Sequence, residues 1–264
     1  MRYGYATGFA SPIKDAVDYR LLDDIQAAGF DFAEFPLALL ATLSVDECQR
    51  VAGRLDDLGL GADSCCNMFP ASVRITGPKR DWQAARHYLD GAFERLALLG
   101  VKKVVFGSSG ARNLPEGTTP EEGYQQVIDF VGEVVLPYLE AGRMVLAMEP
   151  IGGYEANFIN TLDDGMRVVR GVSHPRVRLL ADSVHVLYEE EDPHHLVDYA
   201  PHLEHIHVCE AERALPLGQM SEGLKAFLTM LQATGYNKTL SFEPVPYALP
   251  EMRAALDAVK SWFN

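Results

Sequence analysis

Two apolar runs in this chain end on a carboxylate followed by proline. MVLAMEPI (144–151) runs into Glu149 and Pro150, and TLSFEP (239–244) repeats the pattern with Glu243 and Pro244. Burying an unpaired carboxylate costs on the order of several kcal/mol, so each needs a partner. A third apolar run, VRLLAD (177–182), ends on Asp182, and a fourth, LEHIHVC (203–209), carries His205 and His207. Carboxylates gathered in one place push up one another's pKa values unless a cation sits between them. A divalent ion is the simplest partner. Ligation by oxygens and one imidazole, without thiolate, suits a hard or borderline octahedral ion such as Mn²⁺ or Mg²⁺, with Co²⁺ possible, better than a tetrahedral structural zinc.

His205 and His207 lie two apart and share a strand face, so spacing alone does not choose between them. The residue nearer the strand's C-terminal end favours His207 as the ligand, with His205 one layer deeper in a core or supporting position. His87, His174, His194, His195 and His202 fall on helices or loops and read as solvated.

The elements that would bring these residues together are short apolar runs alternating with longer amphipathic segments. Strands are expected at 2–9, 31–37, 61–67, 102–107, 143–149, 177–182, 203–209 and 239–243. Helical patterns fall between them, and several end at the glycine expected past a helix C-terminus: Gly29, Gly59, Gly100, Gly142 and Gly235. Eight βα units in this length predict a single (β/α)₈ barrel, one domain over 1–264. An open doubly wound sheet would carry a Gly-rich phosphate loop after its first strand, and TGFASP is none. In a barrel the strand C-termini form the reactive face, where Glu149, Asp182, His207 and Glu243 would converge.

The 264 residues carry a formal charge of -14. Nucleic acid and anionic membranes would be repelled by such a surface. No apolar run reaches the roughly 18 residues of a spanning helix, and MRYGYATGFASP lacks a signal-peptide pattern, so a cytoplasmic location is expected. Cys48, Cys65, Cys66 and Cys209 show no metal-knuckle spacing and read as reduced thiols.

The motifs MEPIGGYE, ADSVHV, HIHVCEAER and SFEP resemble the sugar phosphate isomerase and epimerase superfamily of xylose-isomerase-like barrels. Within it they resemble the ketose 3-epimerase and hydroxypyruvate isomerase branch, most densely from 145 to 245. The resemblance implies that Glu149, Asp182, His207 and Glu243 bind one divalent ion, usually Mn²⁺. It further implies that Glu155, His185 and Arg213, at the matching offsets, bind the hydroxyl and carbonyl oxygens of a small carbohydrate substrate. The implied reaction is proton transfer beside a carbonyl through a metal-stabilised enediolate, with Glu149 and Glu243 as base and acid. Family members are often dimers or tetramers, so a homo-oligomer is an open expectation.

Two departures bear on the substrate. Gly152 and Gly153 stand where the family's epimerases carry bulky polar residues. Trp82 and Trp262 fall on helices, so an aromatic lid would have to come from elsewhere, for example Phe9 or Phe69. A rival reading shares the enolate but ends in elimination, as in an inosose-type dehydratase or a keto-glycoside lyase. An abasic-site endonuclease of the same barrel type would need further histidines, where this chain offers Asn67, GSSG (107–110) and AERALPLG (211–218). A non-catalytic binding protein would have no reason to keep an acid and base pair beside the ligands. Arg112, in GSSGAR (107–112), reads as a surface arginine on an ordinary turn rather than an anion site. Arg213 could instead be a solvated loop residue balancing Glu210 and Glu212.

Overall fold

A computed structural model describes residues 1–263. Among the described residues, eight parallel strands close in sequence order into a barrel: β1 (Arg2–Ala6), β2 (Phe32–Pro36), β3 (Ser64–Cys66), β4 (Lys103–Phe106), β5 (Val145–Met148), β6 (Val177–Asp182), β7 (Leu203–Val208) and β8 (Thr239–Phe242). The expected (β/α)₈ barrel is therefore the fold. Each strand lies inside its expected range, and β3 is the shortest.

Tyr19–Ala28, Val45–Leu58, Trp82–Leu99, Glu222–Ala233 and Leu249–Trp262 are among the helices that ring the barrel. Four of these starts follow side-chain capping: Asp18, Ser44, Asp81 and Ser221 each accept a backbone N–H of the first turn. Gly29, Gly59, Gly100 and Gly235 take the left-handed conformation after a helix, as expected. At the fifth expected end the helix runs through Gly142, and Arg143 is the left-handed residue. The long pattern from 120 to 142 breaks at a π-helical turn, Val131–Val135, just before Pro137. Proline lacks the N–H that would continue the ladder and crowds the preceding turn, and the wider turn accommodates both.

Strand alternation sends one set of side chains to the helices and the other into the barrel. Tyr5, Phe35, Phe106 and Phe242 belong to the main core of buried apolar residues. Cys66, Val105, Ala147 and Leu180 form a separate buried cluster. Glu149 and Asp182 stand two residues beyond Ala147 and Leu180, and so rise from that cluster toward the barrel mouth. The register pairs Asp182 with His207 and His207 with Ser241, two residues before Glu243. All four cysteines are free and buried. No helix among the described residues is long and apolar enough to cross a membrane.

Candidate active site

Glu149 leaves β5 with its N–H still bonded to Phe106 O of β4 at 3.2 Å, and Pro150 ends the pairing there. Its carboxylate points to the mouth, 3.0 Å from His207 Nδ1. Glu243 Oε2 lies 3.6 Å and Asp182 Oδ2 3.9 Å from the same nitrogen. One donor atom from each of Glu149, Asp182, His207 and Glu243 lies within 4.8 Å of the others, and all four residues are buried. The structure thus brings the four expected residues together.

Asp182 divides its two oxygens. Oδ1 accepts the Val184 N–H at 2.7 Å, capping the helical turn Ser183–Tyr188, while buried Oδ2 has no hydrogen-bond partner. His185, on that turn, is buried with Nε2 also unpartnered and 3.6 Å from Asp182 Oδ2. Its Nδ1 meets the Tyr154 hydroxyl at 3.2 Å.

Arg213 is 8% exposed, which rules out the solvated alternative. Its Nη1 donates to Glu243 Oε2 and lies 3.6 Å from Asp182 Oδ2; Nη2 lies 3.8 Å from Glu155 Oε1. The Phe9 ring stacks on its guanidinium at 4.3 Å. Glu212 and Arg213 both hold a left-handed backbone, which costs an ordinary residue about 1–3 kcal/mol and aims Arg213 inward. Glu155 is the more exposed partner, on the Gly-rich turn.

Burial pushes the Glu243 carboxyl up to about 7, aided by Glu149 and Asp182 and opposed by Arg213 and His207. Burial works against charge on His207, but Glu34, Glu243 and Glu149 outweigh it and raise the imidazole well above its ordinary range. Asp182 ends below the ordinary carboxylate range, since His185, Arg213 and His207 overcome its burial. Three buried carboxylates are thus gathered around the Arg213 guanidinium and the His207 imidazole. Three carboxylate oxygens and one imidazole nitrogen, one oxygen of them unpartnered, fit a hard divalent cation.

Several residues at the site differ from their sequence reading. Arg112 is neither a surface arginine nor an anion binder: it is fully buried, donating through Nε to Gly107 O at 2.7 Å and through Nη2 to Glu149 O at 3.1 Å. Its Nη1 donates to Phe158 O and Ile159 O. Phe69 is no lid, for it packs in the core against Tyr88, Phe106 and Phe130. Phe9 does line the cleft, 43% exposed. The second aromatic is Tyr154, which the sequence reading passed over; a Cβ on Gly152 would lie 2.8 Å from its ring, so glycine there lets it fold back over His185. Gly107 works the same way, since a Cβ would lie 2.2 Å from Glu149 Oε2. Glu34, wholly buried on β2 and bonded to both His205 and His207, was also passed over. His205 occupies the deeper, supporting position expected of it.

Glu149 and Glu243, with Glu155 and Arg213, line a cleft of about 670 Å³ also bounded by Phe9, Lys14, Phe35, Asn67, Ser108 and Ile151. That volume suits a small molecule.

Fold and site define a (β/α)₈ barrel with a carboxylate and histidine cluster at its C-terminal mouth. The chain belongs to the xylose isomerase-like TIM barrel family, whose description matches residues 22–263. It is similar to the L-ribulose 3-epimerase of Mesorhizobium japonicum, 26% identical over 228 residues, or 85% of this chain and 74% of that one. The ketose 3-epimerase of Arthrobacter globiformis is 27% identical over 220 residues, 82% of this chain and 73% of that one. Among solved structures, a D-psicose 3-epimerase from Clostridium cellulolyticum H10 with D-tagatose shares the fold at a TM-score of 0.88 and 19% identity, with 100% of each chain covered.

Proposed function

We propose that the protein is a divalent-metal-dependent epimerase that inverts the carbon next to the carbonyl of an unphosphorylated ketose. The observation that carries this reading is the pair of buried carboxylates, Glu149 and Glu243, lining the cleft and held with Asp182 and His207. Glu149, Asp182, His207 and Glu243 would hold one divalent ion, Mn²⁺ in the first instance, with Mg²⁺ or Co²⁺ able to substitute. When bound, that ion supplies Lewis-acid polarisation of the substrate's carbonyl and neighbouring hydroxyl.

The chain's own residues then divide the work. Glu149 and Glu243 act as base and acid, one taking the C–H proton and the other returning a proton to the opposite face. His185 Nε2, buried without a partner, is free to bond a substrate oxygen, and Arg213 and Glu155 hold others. Phe9, on the cleft wall, offers an apolar surface to the carbon chain of the substrate. The named relatives are sugar 3-epimerases, which supports inversion at C3. Support for an unphosphorylated substrate comes from charge. Asp15, Asp18, Glu149, Glu155 and Glu243 line the cleft, whereas the Lys14 ammonium is spent on the carbonyls of Gly8 and Ser11 at 2.9 and 2.5 Å. The Arg213 charge is balanced by Glu243, which leaves its Nη2 edge for a neutral hydroxyl. A phosphate would meet net negative charge.

Incubation with a panel of ketoses in D₂O and Mn²⁺ tests the reading. Deuterium should enter at C3 of a ketose, its epimer should accumulate, and EDTA should stop both. An ultraviolet-absorbing enone formed by loss of a C–O substituent would instead make the protein an eliminase.

Metal affinity should also depend on pH with a definite sign. Protons held on Glu243 to about pH 7, and on His207 above its ordinary range, must leave before a cation can bind. Affinity for Mn²⁺ should therefore fall by about tenfold or more for each unit that pH drops below about 7, where both groups hold protons, and should fall less steeply above it, where the His207 proton alone must leave. Titration calorimetry at several pH values, in buffers of different ionisation enthalpy, reads both the slope and the proton release. A flat profile from pH 5.5 to 7 would contradict the protonated resting state.

A further inference from the structure

Behind His207, on the side away from the cleft, lies a second polar layer that the proposed chemistry does not touch. His207 Nε2 sits 3.2 Å from Glu34 Oε1, and His205 Nε2 sits 3.1 Å from Glu34 Oε2. On its other edge, His205 Nδ1 lies 2.7 Å from Thr239 Oγ1 and 3.1 Å from Thr239 O. Ser64 Oγ stands 3.4 Å from His205 Nε2. Glu34, His205 and His207 are wholly buried. A carboxylate in that position is stable only if both oxygens are satisfied.

Donor and acceptor rules then order the protons. Ionised Glu34 can only accept, so each imidazole must turn an N–H toward it: His207 through Nε2 and His205 through Nε2. On the far edge of His205, the Thr239 hydroxyl at 2.7 Å and the Thr239 carbonyl at 3.1 Å from Nδ1 hold the ring, so that its Nε2 faces Glu34. The chain of bonds runs from Thr239 through His205 to Glu34, and His207 donates into it from the opposite side. With its Nε2 proton held by Glu34, His207 presents Nδ1 to Glu149, Asp182 and Glu243. That nitrogen is the one within reach of all three carboxylates.

We infer that Glu34, itself oriented by His205 and Thr239, is the positioning residue that fixes the tautomer and ring angle of His207 and thereby sets the strength of the cluster's nitrogen donor. The inference rests on the metal-site reading above, and deepens it. An anion bonded to the far N–H makes an imidazole a better electron donor, and loss of such a partner typically weakens metal affinity by about 10–100-fold. Glu34→Gln isolates the charge. The amide oxygen can still accept from His207, and its NH₂ can donate to His205 Nε2 if the His205 proton moves to Nδ1, where Thr239 O stands ready at 3.1 Å. The variant should therefore fold.

Wild-type protein and the Glu34→Gln, Glu34→Asp and Thr239→Val variants would be titrated with Mn²⁺ against a fluorescent chelator. Unfolding in EDTA would be followed by circular dichroism. The expected result is one ion per wild-type chain, affinity about 10–100-fold weaker in Glu34→Gln, partial recovery in Glu34→Asp and a smaller loss in Thr239→Val. Wild-type affinity retained in Glu34→Gln would overturn the inference while leaving the metal site standing. No binding by the wild type would overturn the metal site itself. Two ions per wild-type chain, falling to one in Glu34→Gln, would make Glu34 a ligand and also overturn it. A readout independent of any variant is ¹⁵N NMR of histidine-labelled wild-type protein loaded with Mg²⁺. His207 should carry its proton on Nε2, and a proton on Nδ1 would refute the assignment.

Discussion

Replacing Glu149 or Glu243 by glutamine should lower kcat by at least about 10³-fold while the barrel remains folded. General acid and base groups contribute about 10²–10⁴-fold, and each glutamate also belongs to the proposed cation set, which places the loss toward the upper part of that range. Because the two act as a unit, the double variant should be little worse than either single one. The variants should differ in direction. If one carboxylate serves each face of the substrate, a single variant should still exchange the C3 proton slowly from one epimer and not from the other. Stability should move the opposite way to activity. Burial and the neighbouring Glu149 and Asp182 charges push the Glu243 carboxyl up to about 7, so a neutral amide relieves repulsion in the metal-free protein. Thermal unfolding in EDTA should show Glu243→Gln no less stable than wild type at pH 8. Saturating Mn²⁺ that restored full turnover in both variants would reduce the glutamates to ligands and remove their acid and base roles.

How far the site could be read from the chain depends on where each residue's partners lie. Glu149, Asp182 and Glu243 stand out because each closes an apolar run, and a charge there is costly unless something compensates it. His207 could be preferred to His205 by counting toward the strand end, and the register bears out the layering, with His207 beside Asp182 and His205 one step below. Glu34 followed the same physical rule but stands in the middle of its run, DFAEFPL, where attention to strand ends alone overlooks it. Alternation within β2 was the available signal. Arg112 offered none: its acceptors on Glu149, Phe158 and Ile159 lie 37, 46 and 47 residues away, so GSSGAR looks like any turn. Phe69 shows the complementary difficulty. The loop after β3 turns inward there, to the Tyr88, Phe106 and Phe130 rings, and nothing local in NMFPAS specifies that direction. The eight strands were legible because parallel strands covered on both sides read as continuous apolar runs.

Arg112→Met should destabilise the protein by about 3–5 kcal/mol, the largest stability effect expected of any single change near the site. Burial lowers the guanidinium to about 10, so it remains charged at neutral pH, and its compensation comes from the carbonyls of Gly107, Glu149, Phe158 and Ile159. Methionine fills similar space but leaves those carbonyls short of a donor. An unsatisfied buried acceptor costs about 1–3 kcal/mol, and the Ile159 carbonyl is partly spared because the Ile151 N–H also reaches it. Lysine should recover little, since one ammonium cannot reproduce a planar fork that bridges the loops after β4 and β5. Function should fall with stability through a definite route. The Glu149 carbonyl is tied to Arg112 while its side chain faces His207, so loosening the backbone misplaces the carboxylate. Urea denaturation gives the stability change, and kcat measured well below the unfolding midpoint gives the functional one. A loss under about 1 kcal/mol with unchanged kcat would mean that water replaces the guanidinium at all of these carbonyls, and that the β4 and β5 loops hold Glu149 without it.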